Sequence, residues 1–117
     1  MAKSNTTGHR TMAYLRKHGY DCGIVERWIQ FRKIRIDFLN LFDIIACHPK
    51  KKEIIGVQTT SGTHHASHLT AMKLSTRLPG WLKSGGKAML ITWSKKGARG
   101  KRKLWTPRIV MLSLKEK

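Results

Sequence analysis

The stretch Leu41-Phe42-Asp43-Ile44-Ile45-Ala46-Cys47, followed after a short gap by Ile54-Ile55-Gly56-Val57-Gln58-Thr59-Thr60, decides the fold. Both runs are apolar and rich in strand-forming residues, and Pro49 with Lys50, Lys51 and Lys52 marks a turn between them. They read as neighbouring strands over residues 42–47 and 54–60. A period of two then puts Gln58 and Thr60 on one face and Val57 and Thr59 on the other. Asp43 is the odd member of its run. A carboxylate among core residues costs several kcal/mol to bury unless it is paired or bound to a cation. No Lys or Arg lies within five residues of it on either side. A metal ion satisfies it in one reading; a capped loop or a distant Arg does so in another.

Downstream, Ser61-Gly62-Thr63 breaks the strand, and Ser61 or Thr63 is placed to cap a helix over residues 64–77 with Ala66, Leu69, Met72 and Lys73 at helical spacing. Pro79-Gly80 is expected to end it, with Trp81-Leu82 a short turn before Gly85-Gly86. Residues 87–93 and 104–112 read as strands joined by a basic loop, 94–103. Upstream, residues 1–8 carry no apolar pattern and read as a flexible N-terminus. Residues 9–18 suit an amphipathic helix through Met12, Ala13 and Leu15, stopping at Gly19. Residues 23–31 alternate as a strand, with Val25, Arg27 and Ile29 on one face and Ile24, Glu26 and Trp28 on the other. The expected architecture is α/β, a single domain over residues 9–117 in the order α-β-β-β-α-β-β. A mixed sheet flanked by helices follows, with 54–60 and 87–93 parallel across a right-handed crossover.

At 117 residues the chain is one domain's worth, and 40% apolar content excludes wholesale disorder. No apolar run exceeds four residues, so neither a transmembrane helix nor a secretory signal is expected. Two cysteines, Cys22 and Cys47, make no disulfide framework and point to a reducing cytoplasm. Charge dominates the composition: 24 Lys and Arg against 6 acids give +18, with a pI near 10.8. Such a balance repels itself unless polyanions are the partner, and nucleic acid rewards clustered cations by counterion release. A membrane surface would call for a basic amphipathic helix with a broad apolar face, and none is patterned. The acids are not scattered: Asp21, Glu26, Asp37, Asp43 and Glu53 all precede residue 54. From 54 to 115 there are twelve Lys and Arg and no acid. A small acidic group inside a cationic chain is how a metal site within a phosphate-binding surface looks.

The sequence of a helix, a strand with Glu26, a strand with Asp43, a turn, a strand ending Gln58-Thr59-Thr60 and a helix resembles the PD-(D/E)XK nuclease superfamily. Its small Holliday-junction-resolvase-like and VRR-NUC-like members in phages and bacteria are the nearest in form. Phe42-Asp43-Ile44-Ile45-Ala46 is similar to their acid-bearing strand, and Val57-Gln58-Thr59-Thr60 falls where the (D/E)-x-K motif belongs. The resemblance implies a restriction-endonuclease-like core with Asp43 as principal metal ligand. It further implies Gln58 in the second acidic position, the Thr59 carbonyl in the shell and Glu26 as the upstream acid. These hard oxygen ligands suit Mg²⁺ or Mn²⁺. The activity implied is metal-dependent, structure-selective hydrolysis of DNA phosphodiesters, on double-stranded or branched substrates such as Holliday junctions, by a homodimer.

Thr60 departs from that pattern, standing where the motif has lysine. Lys73 on the following helix is one replacement, His64 or His65 another. A catalytically inactive nucleic-acid-binding protein on a nuclease fold is the third reading. His64 and His68, at helical spacing, also suggest zinc, but no carboxylate or cysteine accompanies them and a solvated helix start accounts for them. Glu26 has Arg35 as an alternative partner, and Asp37 reads as part of a turn or as a second acid near the site. Lys95, Lys96, Arg99, Lys101, Arg102 and Lys103 make the loop a phosphate-contacting hairpin.

Overall fold

The computed structural model describes residues 7–97, 99, 100 and 102–113. Strands β4 (Ile44–His48) and β5 (Glu53–Ser61) form the expected antiparallel pair, in a register that sets Ile44 opposite Val57 and His48 opposite Glu53. Strand β6 (Lys87–Lys96) runs parallel to β5, and β7 (Leu104–Leu112) returns antiparallel to β6. Strand β1 (Asp21–Ile24) closes the other side against β4, so the sheet order is β1-β4-β5-β6-β7. Residues 88–93 of β6 are buried on both faces, which is why that segment is almost continuously apolar rather than alternating.

Helix α1 (Thr7–Lys17) covers one face, where Met12 and Leu15 pack on Ile44, Ile55, Val57, Ile91 and Trp93. Helices α2 (His65–Leu74) and α3 (Leu78–Lys83) cover the other, where Met72 and Leu78 join Leu41, Phe42, Ala88, Leu90 and Leu112. The result is the expected mixed sheet between helices. On the α2 side the Phe42 ring lies against the bare backbone of Gly56, where any Cβ would enter the ring.

Several details differ from expectation. Residues 23–31 are not one strand. The chain bends after β1, where the Val25 N–H donates to the Asp43 carbonyl, and residues 27–36 form a separate two-stranded ribbon of β2 (Arg27–Ile29) and β3 (Ile34–Ile36). Pro79 opens a helix rather than ending one, because its missing N–H falls among the unpaired donors of the first turn of α3. Helix α2 instead stops at Leu74, before an extended Ser75. Neither Ser61 nor Thr63 caps it; a short 3₁₀ turn, Gly62–His64, leads in, and the two hydroxyls face each other at 3.3 Å. At the other end α1 begins at Thr7, so Thr7 and Gly8 are helical, while residues 1–6 of the expected flexible segment lie outside the described residues.

Candidate active site

The five acids upstream of residue 54 divide into two groups. Asp21 sits exposed at the start of β1, and Glu53 is committed to structure. It accepts from the Tyr20 hydroxyl at 2.6 Å and pairs with Lys87 Nζ at 2.7 Å. Burial and the hydrogen bond to that carboxylate push the Tyr20 phenol up to about 12. Glu26 and Asp37 lie within electrostatic reach of Asp43, which stands at the end of the sheet where β4 begins.

Asp43 precedes β4, anchored by its own N–H to the Val57 carbonyl at 3.0 Å. Its Oδ1 is buried with no hydrogen-bond partner. Burial, then the negative charges of Asp37 and Glu26, push its carboxyl up to about 8, while the Thr59 main-chain N–H favours the ionised form. Among the described residues no lysine or arginine ion pair relieves it. Gln58 lies behind this group on β5. Its Nε2 donates to Asp37 Oδ2 at 3.0 Å and to the Leu41 carbonyl at 2.7 Å. Both partners are acceptors, so the amide nitrogen faces them and the oxygen faces away. Gln58 therefore holds the loop that carries Asp37. That loop turns through two left-handed residues, Leu39 at φ 57° and Asn40 at φ 55°, of which the leucine is the unusual one.

Glu26 lies 3.8 Å from Arg35, so the alternative pairing is made, though at ion-pair rather than hydrogen-bond distance. Asp37 and Asn40 share a cleft of about 340 Å³ with Arg27 and Arg77. Two guanidinium groups thus line the space beside Asp37, a cleft that neither Glu26 nor Asp43 lines. Neither arginine stood out in the sequence among so many cations; Asp37 had a signal, being one of few acids and six positions before Asp43.

The remaining candidates separate. Thr60 is buried beside Thr92 of β6, its register partner. His65 is also buried, with Nδ1 2.6 Å from the Thr92 hydroxyl and Nε2 unpartnered. Burial, with Arg108 nearby, holds its imidazole below the usual histidine range. As the first residue of α2 it turns inward onto β6 and offers no surface for phosphate, whereas His64 is exposed. His64 and His68 stack edge to face at 6.4 Å, and His68 Nδ1 lies 3.0 Å from the His64 carbonyl. Lys73 lines a different cleft, with Leu78, Leu82 and Val110–Leu112 at the β7 side of the sheet. Lys95, Lys96, Arg99, Arg102 and Lys103 are exposed on the β6–β7 hairpin; Lys101 lies outside the described residues. Arg10 of α1 stacks over Trp105 at 4.0 Å, with Lys95 on the same ring at 5.3 Å, fixing the base of that hairpin.

A divalent cation is the group the resemblance implies for this site. Its chemical fit rests on the unpartnered Asp43 Oδ1 and on three carboxylates gathered without a countercharge on Asp43. Asp43 and Asp37 are the residues that would hold it. Glu26 leans toward Arg35, and the Gln58 oxygen is turned away from Asp37. Among the described residues no three His, Cys, Asp or Glu side chains converge as a ready metal cage, so water or phosphate oxygens would complete the shell of a hard cation. No helix among the described residues is long and apolar enough to cross a membrane. Comparison with protein-family models and with curated proteins finds no match to this chain.

Proposed function

We propose that this chain is a Mg²⁺- or Mn²⁺-dependent DNA endonuclease that acts on double-stranded or branched DNA. The observation that carries the reading is Asp43: a buried carboxylate oxygen without a partner, next to Asp37 and Glu26, in a protein of net charge +18. Asp37 and Glu26 both bear electrostatically on Asp43, a divalent cation would relieve all three where a proton relieves only one, and the cationic surface attracts phosphate. The metal, when bound, supplies Lewis-acid stabilisation of the charge that develops on phosphorus. Asp43 and Asp37 would hold it, and Gln58 keeps Asp37 in place. Arg27 and Arg77 bind the phosphate from the wall of the shared cleft. Water adds to phosphorus, and the bond to the leaving sugar oxygen breaks, giving a 5′-phosphate by analogy with the superfamily. A homodimer would place two such sites on a branched substrate.

A second reading has its own observation. Thr60 carries no ammonium, and Lys73 faces the β7 cleft rather than the acids. A site with no cationic group at the motif position suits a binding protein that has kept the fold without the chemistry.

Cleavage of labelled duplex, single-stranded and four-way-junction DNA, in Mg²⁺, Mn²⁺ or EDTA, separates the two. Metal-dependent cutting that is lost in Asp43→Asn supports the nuclease. Tight, salt-sensitive binding with no cutting in either metal supports the second reading.

A further inference from the structure

The β2–β3 ribbon is a detour that leaves the sheet at Glu26 and returns at Asp37, two of the three clustered acids. Its strands pack chiefly on each other. From Arg27 to Ile36 it carries four cations, Arg27, Arg32, Lys33 and Arg35, and no acid. Its tip, residues 30–33, reads Gln-Phe-Arg-Lys, with Lys33 in the left-handed region at φ 55°. Phe31 at that tip is 93% exposed, more than any other large apolar side chain among the described residues. None of the described residues buries it. Trp28 is half exposed and braced, its Nε1 donating to Gln30 Oε1 at 2.8 Å and Arg35 standing 6.0 Å from its ring. An aromatic held out in water between cations matches the two halves of a nucleic acid strand, stacked bases and phosphates.

We propose that this ribbon is a stacking arm for branched DNA: Phe31 enters the base stack at the branch, and Arg32, Lys33 and Arg35 contact the flanking phosphates. The inference takes from the nuclease reading only that DNA is the partner. Three residues of strand reach about 10 Å, so the arm sets the acids roughly three base steps from the opened step.

The test is binding in EDTA, where no cleavage is needed, to a four-way junction with 2-aminopurine at the branch and to a linear duplex of the same sequence. Wild type should raise the junction's fluorescence by unstacking the probe. Phe31→Ala should abolish that rise and weaken junction binding roughly tenfold to a hundredfold, with an unchanged salt slope because no cation is lost. Phe31→Trp should restore both. Since Phe31 is exposed, its replacement leaves the melting temperature unchanged. Junction binding and unstacking by Phe31→Ala equal to wild type overturn the arm while leaving the nuclease reading intact. Phe31-dependent unstacking without cleavage in Mg²⁺ upholds the arm and removes the catalytic reading. Absence of DNA binding at low salt overturns both.

Discussion

Thr11 and Thr59 join their hydroxyls at 2.8 Å across 48 positions of sequence, pinning α1 to the strand that carries Gln58 on its other face. Thr11 Oγ1 has one proton, given to the Thr7 carbonyl at 2.7 Å, and it accepts from Trp93 Nε1 at 2.8 Å. The Thr59 proton then completes the set. A buried network in which every member is satisfied fixes one position of β5 beneath α1.

Thr11→Val keeps the shape and removes the hydroxyl, leaving the Trp93 N–H short of a partner in the core, while the Thr59 hydroxyl keeps the Thr7 carbonyl at 3.3 Å. The expected loss is about 1–3 kcal/mol of unfolding free energy, read by urea denaturation. A change within a few tenths would show that the network contributes shape alone.

Asp43 predicts a pH dependence with a definite sign. Its folded carboxyl is pushed up to about 8, far above its unfolded value, so the folded state holds a proton that the unfolded state releases. The stability tied to this group is fully present below the ordinary carboxylate range and is lost as pH rises through the folded value. Metal-free wild type should therefore lose melting temperature between about pH 5 and about pH 9, and Asp43→Asn should flatten that loss. Differential scanning fluorimetry in EDTA measures both.

Magnesium should act through the same carboxylate. Millimolar Mg²⁺ is expected to raise the melting temperature of wild type at alkaline pH, where it competes with no proton, and to leave Asp43→Asn unmoved. Asp37→Asn should weaken the response. Equal shifts in wild type and Asp43→Asn would place Mg²⁺ elsewhere on the molecule.

His65 titrates in the opposite sense. Its folded imidazole is held below the usual range, so its contribution is present above that range and lost as pH falls through the folded value. His65→Gln should soften the acid limb of the melting profile without touching the alkaline limb.

The β6–β7 hairpin should govern affinity rather than selectivity. Replacing Arg99, Arg102 and Lys103 with Gln is expected to weaken binding to duplex and junction alike. It should also lower the salt slope by up to about three, one per lost phosphate contact. Fluorescence anisotropy across a salt series reads this out, and an unaltered slope would move the phosphate contacts to other cations.

What the sequence made most legible was the part governed by continuous burial. β5 and β6 are apolar runs bounded by turn signals and buried almost throughout, β4 alternates between buried and part-exposed positions, and the edge β7 is mostly exposed and was legible from its strand-forming residues alone. The break at Val25-Glu26 was invisible because alternation continues unchanged from β1 into β2 while the chain changes direction. Asp37 was ambiguous for a related reason: it reaches the site through two left-handed residues, Leu39 and Asn40, of which leucine carries no turn signal. Lys73 shows the limit of helical spacing. Its position on α2 was readable, but the face it presents depends on how α2 lies across β6 and β7.

The hydrogen bond from Val25 to the Asp43 carbonyl closes the neck of the ribbon, so the antiparallel register of β1 and β4 resumes as though the excursion had not occurred. Changes of length at the ribbon tip, residues 30–33, leave the register of β1 and β4 as it is. The arm is thus an exchangeable part: lineages, or a designer, can lengthen it, shorten it or graft another in its place while Asp43 keeps its address.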